Sequence, residues 1–265
     1  MFWFTQGLCF LPLFLVVSSS STFIVSYIVA VFRRDVDVIF PYISDTGANP
    51  PESCIFGLMT IISACAGTAT IYARYKFVER LNEDLVNAKP LLNKCALWFG
   101  MTSCVGMCIV ATFQETAVTY VHDFGALVFF ISGVGYIILQ TRISYFIYPL
   151  GSTASMCRAR VAITIIAALA VFPTVICTFF VKQTQLHRHK EDKDYPFHVA
   201  SAVCEWIVAF SFVCFFLTYL NDFQVSTDPS VHLHLGFSVL FTKKIVRFLP
   251  QLFTLRVKTE YGERS

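Results

Sequence analysis

Six stretches of the chain, roughly residues 8–32, 54–74, 95–113, 124–147, 159–181 and 198–220, are long and almost continuously apolar. A helix needs about 20 apolar residues to cross the hydrocarbon core of a bilayer, and these runs reach or approach that length. Each is rich in Phe, Ile, Val and Leu, with Gly, Ala, Ser and Cys interspersed. Charged residues make up 14% of the chain, against about 25% in ordinary soluble domains. A soluble core of this size has no room for so many uninterrupted apolar runs. The strands of a membrane barrel would instead alternate in polarity over about ten residues. A cleaved signal peptide does not fit the first run, which lacks a basic start and continues past Ser18–Ser21 to Phe32. The pattern predicts an all-α integral membrane protein, a bundle of six transmembrane helices.

Orientation follows from where Lys and Arg fall in the short connections, because cytosolic loops carry an excess of them. With both termini cytosolic, the inside segments hold Arg74, Lys76, Arg80, Lys89, Lys94, Arg142, Arg158 and Arg160, and the tail adds Lys243, Lys244, Arg247, Arg256, Lys258 and Arg264. The outside loops hold Arg33, Arg34, Lys182, Arg188, Lys190 and Lys193. Arg33 and Arg34 favour the opposite hand locally, but the total favours cytosolic termini. Residues 1–222 then form the transmembrane domain, and 223–265 a cytosolic tail, partly basic and apolar.

Charges near a membrane core are costly, so each one needs an account. With this topology Asp45, Glu115, His122, Asp123, His198 and Glu205 collect near the outer, lumenal leaflet. His198 and Glu205 are seven apart, hence on one helix face, and Glu205 lies about 10–12 Å below the start of its run. Trp206, an interface residue by type, sits beside it at the same depth. Three readings stay open. The groups close the end of the bundle by hydrogen-bonding one another and the loop backbones; they line a pocket for a polar headgroup or small solute; or His122, Asp123, His198 and Glu205 hold a catalytic metal. The last lacks any tight ligand spacing such as HExxH. No nucleophile elbow or phosphate-binding glycine loop is present either. The residues therefore point away from an enzyme, and no catalytic residue, metal or cofactor is assigned. His122 and His198 would titrate in an acidic lumen.

Several features are quieter. Most of the ten cysteines lie in apolar runs, where they serve as small packing residues, and there is no CxxC pair. Small residues four apart, Ser63 with Gly67 and Gly100 with Cys104 and Cys108, let helix backbones approach in lipid. Pro173 is the one strong candidate for a broken helix. The mixed-charge stretch 186–195 reads as a solvated loop. A net charge of +3 without a basic face excludes nucleic acid as a partner.

An ordered set of motifs carries a family resemblance: PYISDTG (41–47), then PPES and IFG (50–57), ATIYARYK (69–76), ATFQE (111–115), VHDFGAL (121–127) and KDYPFHVASAVCEWIVAFSFVCFFLTYLNDFQ (193–224). The chain resembles the damage-regulated autophagy modulator (DRAM) family, within the wider Frag/DRAM/Sfk group, over residues 1–224. The resemblance implies a six-helix protein of lysosomal and other endosomal membranes that modulates autophagy and links stress to cell death without catalysis. It also implies membrane lipids and autophagy or lysosomal proteins as partners. More distant members take part in lipid remodelling, which keeps a lipid-handling role in view by analogy. Asp45, Glu115, His122, Asp123 and Glu205 fall on the motifs, which assign them no role.

The end departs from the pattern. About thirty residues separate DFQ (222–224) from LRVKTEYGERS (255–265), where relatives join the two almost directly. Residues 225–254 read as an insertion or a disordered stretch. Within the tail, 241–258 mixes basic and apolar residues as a membrane-surface segment does, with Pro250 interrupting any helix.

Overall fold

The structure, a computed structural model, describes residues 7–84, 89–181 and 185–225. The expectations for the tail beyond Val225 lie outside the described residues. Six long helices are present: α1 (Phe10–Arg33), α2 (Glu52–Asp84), α3 (Pro90–Thr112), α4 (Thr119–Ile147), α5 (Ala154–Thr178) and α6 (Tyr195–Leu217), followed by a short α7 (Tyr219–Val225). Each of the six long helices is long and apolar enough to cross a membrane. No strand occurs among the described residues.

Local chemistry marks the helix ends. Arg34 closes α1 in the left-handed region at φ 63°, its N–H donating to the carbonyls of Ala30 and Val31. Proline opens α3 and stands in the first turn of α6, where its missing N–H has no partner to lose. Thr153 caps α5 by accepting from Met156 N–H at 3.2 Å. Pro173 does not break α5, which runs through it to Thr178. Within the apolar helices, Thr and Ser hydroxyls return a proton to the carbonyl one turn back, as Thr22 does to Ser18 (2.8 Å) and Thr70 to Ala66 (2.7 Å). That pairing satisfies a polar group where no water can.

Successive helices pack side by side, and α1 also meets α6, which closes the bundle. Small residues set the closest approach. A Cβ on Gly106 would lie 2.5 Å from the Phe129 backbone nitrogen and 2.8 Å from the Gly125 carbonyl oxygen, so α3 and α4 touch backbone to backbone there. Gly67 faces Cys104, as the four-residue spacings in α2 and α3 anticipate. All ten cysteines are free thiols. Both ends of the bundle's described chain emerge together, with Cys9 Sγ 3.7 Å from the Leu220 carbonyl oxygen.

That end of the bundle holds a buried arginine clamp. Arg74 of α2 and Arg160 of α5 are wholly buried, and each places a guanidinium nitrogen 2.7 Å from Asp222 Oδ2 of α7. Arg160 also donates to Ser144 Oγ (2.7 Å), Thr218 Oγ1 (2.8 Å) and the Thr218 carbonyl (3.2 Å). Arg74 Nε reaches Gln140 Oε1 at 3.4 Å. The Tyr219 ring lies against both guanidiniums, whose central carbons are 4.9 and 5.1 Å from its centroid. The sequence reading placed Arg74 and Arg160 among loop charges. The structure corrects this: α2 continues well past residue 74 and α5 begins before residue 160, so both arginines turn into the bundle.

Candidate functional site

The opposite end is closed by the connection between α1 and α2. Within it, Pro41 to Ala48 are buried except for half-buried Ser44, so this segment is a plug set into the bundle rather than a loop lying over it. Ile43 packs with Phe56 and Ala209 in a small apolar core of its own. A short 3₁₀ turn, Asp45–Gly47, reverses the chain. A side chain on Gly47 would meet the Phe56 ring at 2.5 Å, so only glycine allows this approach. Thr46 Oγ1 bonds Ser26 Oγ of α1 at 2.8 Å, and Trp206 Nε1 of α6 donates to the Pro41 carbonyl at 2.9 Å. That bond explains the depth of Trp206: its polar edge serves the plug backbone.

The plug supplies donors to three carboxylates. Tyr42 N–H donates to Asp45 Oδ2 (3.2 Å), Ile43 N–H to Glu205 Oε2 (3.2 Å) and Ser44 Oγ to Glu115 Oε2 (2.6 Å). Asp45, Glu115 and Glu205 are all buried. Burial pushes the Asp45 carboxyl well above the usual carboxylate range, and the charges of Glu115 and Glu205 add to it. Burial raises Glu115 to about 7, although the Ser44 bond and nearby Arg188 pull the other way. The helix carrying Glu205 begins at Tyr195 rather than near His198, which sets this residue about 15 Å along its helix, deeper than the sequence implied.

The two histidines part company. His122 Nδ1 lies 2.7 Å from the Phe113 carbonyl oxygen, which can only accept, so this nitrogen carries the proton. His198 stands edge-on to the Tyr42 ring, 4.8 Å between centroids, on another side of the plug. No group of three or more His, Cys, Asp or Glu with metal-binding geometry occurs among the described residues. Thus Asp45, Glu115 and Glu205 gather around the plug, while Asp123 and His122 flank a space beside it.

That space is a cavity of about 470 Å³ to which all six long helices contribute. Glu115, Glu205, His122, Asp123 and Ser44 are among its polar lining, and aromatic and aliphatic side chains, with Thr60, Thr174 and Thr178, form the rest. It reaches the N-terminal part of α4 and the C-terminal part of α5, which are hydrogen-bonded to each other further along, at Thr141 and Thr164 (2.9 Å). Exposed Tyr120, Phe124 and Phe179 edge its mouth.

One contributor escaped the sequence reading. The 186–195 stretch is not simply solvated: the Arg188 side chain is buried, the Arg188 backbone N–H donates to Asp37 Oδ2 at 2.8 Å, and the guanidinium lies 3.3 Å from Asp194. Its charge acts on both Asp45 and Glu115. Asp37, in the first connection, is the signal for this contact, because it also meets His187 at 3.2 Å and so ties the two loops together.

A closed bundle of six membrane-crossing helices, capped by a buried plug, defines the class: a helical multi-pass membrane protein. Residues 7–226 match the family described as the Frag1/DRAM/Sfk1/Cwh43P N-terminal domain, and the chain belongs to that family. It is 47% identical to DNA damage-regulated autophagy modulator protein 1 of Mus musculus over 224 residues, covering 84% of this chain and 94% of the relative. To the protein of the same name from Xenopus laevis it is 46% identical over 236 residues, 89% and 99% of the two chains. To DNA damage-regulated autophagy modulator protein 2 of Rattus norvegicus it is 41% identical over 235 residues, 86% and 88%. No solved structure matches.

Proposed function

We propose that this protein is a non-enzymatic modulator of autophagy in lysosomal and other endosomal membranes, acting in stress-linked cell death, with its plugged end lumenal and both termini cytosolic. The observation that carries the reading is 46–47% identity over nearly the whole length of relatives named as autophagy modulators. Its partners are membrane lipids and autophagy or lysosomal proteins, met without nucleic acid. The direct test is autophagic flux in cells lacking the protein, under DNA-damage stress, with the protein located in control cells. Normal flux, or a control protein confined to another membrane, would remove the role.

A second reading, lipid handling at the plugged end, is supported by one specific observation. The carboxylates do not close on themselves alone; Glu115 and Glu205 border a cavity whose remaining walls are mostly apolar and whose mouth lies between α4 and α5. A space of that size with few polar groups at one end suits an amphiphile.

A further inference from the structure

The charge of this cavity is one-sided. Glu115 and Glu205 each give one oxygen to the plug, and the second oxygen of each accepts no hydrogen bond among the described residues. Thr60 of α2, 5% exposed and also lining the cavity, has a hydroxyl with no partner. Asp123 borders the same end, and among the described residues no Lys or Arg lines the space. Arg188, the nearest described cation, acts on Glu115 from outside the cavity and is drawn toward Asp194. A phosphate or carboxylate head would meet the like charge of the carboxylates there, which a neutral hydroxyl donor such as Thr60 does not offset. An ammonium head would meet two carboxylate oxygens and a hydroxyl able to accept its protons, in surroundings dry enough to strengthen each bond.

Building on the lipid-handling reading, we propose that the cavity binds a long-chain amine, its ammonium group held by Glu115, Glu205 and Thr60 and its chain laid among the aromatic side chains toward the mouth between α4 and α5. The apolar walls select an amphiphile over a simple cation, because an inorganic ion has no chain to bury against Phe124, Phe129 and Phe130. Binding also answers the cost of ionising buried acids. Glu115 faces Ser44 and Asp45 of the plug, Glu205 of α6, His122 and Asp123 of α4, and Arg188 of the loop after α5. Of these, only Arg188 is a permanent cation, so the ammonium supplies positive charge that no described residue lining the cavity provides. Since Glu115 titrates at about 7, affinity rises as pH climbs through neutrality and falls in an acidic lumen.

The test uses the full chain in lipid nanodiscs with radiolabelled dodecylamine, competed by dodecanol or dodecyl phosphate. Dodecylamine should bind saturably and about tenfold more tightly than dodecanol, the scale of a charge-assisted hydrogen bond, and dodecyl phosphate should not compete. Glu205→Gln and Glu115→Gln should each weaken amine binding about tenfold while leaving dodecanol unchanged, which also shows that the variants are folded. Amine affinity should be greater at about pH 8 than at about pH 5, where the amine stays charged and Glu115 does not. Equal binding of amine and dodecanol, or amine binding indifferent to both substitutions, overturns the headgroup assignment and leaves lipid handling standing. Failure of every amphiphile to bind overturns both readings.

Discussion

The two ends of this bundle both bury charge, and they do so in opposite ways. At the arginine end, two cations share one carboxylate, hydroxyls and a carbonyl take up the remaining directions of Arg160, and the Tyr219 ring packs against both guanidiniums. At the plugged end, three acids lie together, each bound through one oxygen to the plug, and a cavity opens beside two of them. Opposite charges paired in the interior hold helices in place. Like charges beside a void leave binding capacity unspent. The two ends differ in how their charges are compensated and in whether a cavity adjoins them, not in how polar each end is.

The contrast can be broken at its structural end first. Asp222→Ala leaves two buried guanidiniums without their shared partner, and losing one member of a buried ion pair costs about 3–5 kcal/mol. Thermal unfolding in detergent should show the largest fall of any substitution considered, while dodecylamine binding per folded molecule stays intact. An unchanged unfolding temperature would mean that the clamp holds nothing. Gly47→Ala attacks the other end by driving a methyl into the Phe56 ring. Overpacking of this kind costs about 1–3 kcal/mol, and proteolysis within 34–51 should speed up before the rest of the bundle opens.

A pH titration of stability sharpens the difference further. Glu115 is raised to about 7 by burial, so the folded protein holds this proton more tightly than the unfolded chain, whose carboxyl titrates at about 4.3. Its stabilising contribution is therefore complete below the unfolded value and is lost as pH rises toward about 7. Asp45 shifts in the same direction. Unfolding temperature should fall across that window by the equivalent of up to about 1 kcal/mol per pH unit, and Glu115→Gln should flatten the profile. The smallest expected effect is that of Ser44→Ala. Removing the donor at 2.6 Å costs about 1 kcal/mol and moves the Glu115 titration upward, readable as a later loss of the protonated-carboxyl infrared band.

Much of the architecture was legible in the sequence because a membrane makes hydropathy nearly decisive: the six apolar runs correspond to α1–α6. The ends were less so. Apolar runs stop where lipid stops, but helices do not, and α2 continues to Asp84. That overrun hid Arg74, which looks like an interfacial charge when the helix is taken to end there. Arg160 was closer to detection, since it falls inside the apolar run 159–181 and a cation there calls for a partner. Asp222 is the partner, but nothing in linear spacing joins residues 74, 160 and 222.

At the plugged end the chemistry was readable and the geometry was not. Asp45, Glu115, His122, Asp123 and Glu205 could be picked out as costly groups on one side. Their separation into plug ligands and cavity walls depends on Ser44 and on the backbone N–H groups of Tyr42 and Ile43, which carry no sequence signature. The burial of Arg188 likewise rests on a contact to Asp37 across 151 residues.

The clamp at Asp222 has a mechanical consequence. It is the last point at which the described chain is fixed by ion pairs, three residues before α7 ends at Val225. A pull on the C-terminal tail is received by a helix of two turns anchored to α2 and α5, close to where α1 begins. The load is shared across the bundle before it can bend any one helix. Tail-borne tags or partners should therefore tug on the protein as on a bollard, leaving the distant plug undisturbed until the anchor itself gives way.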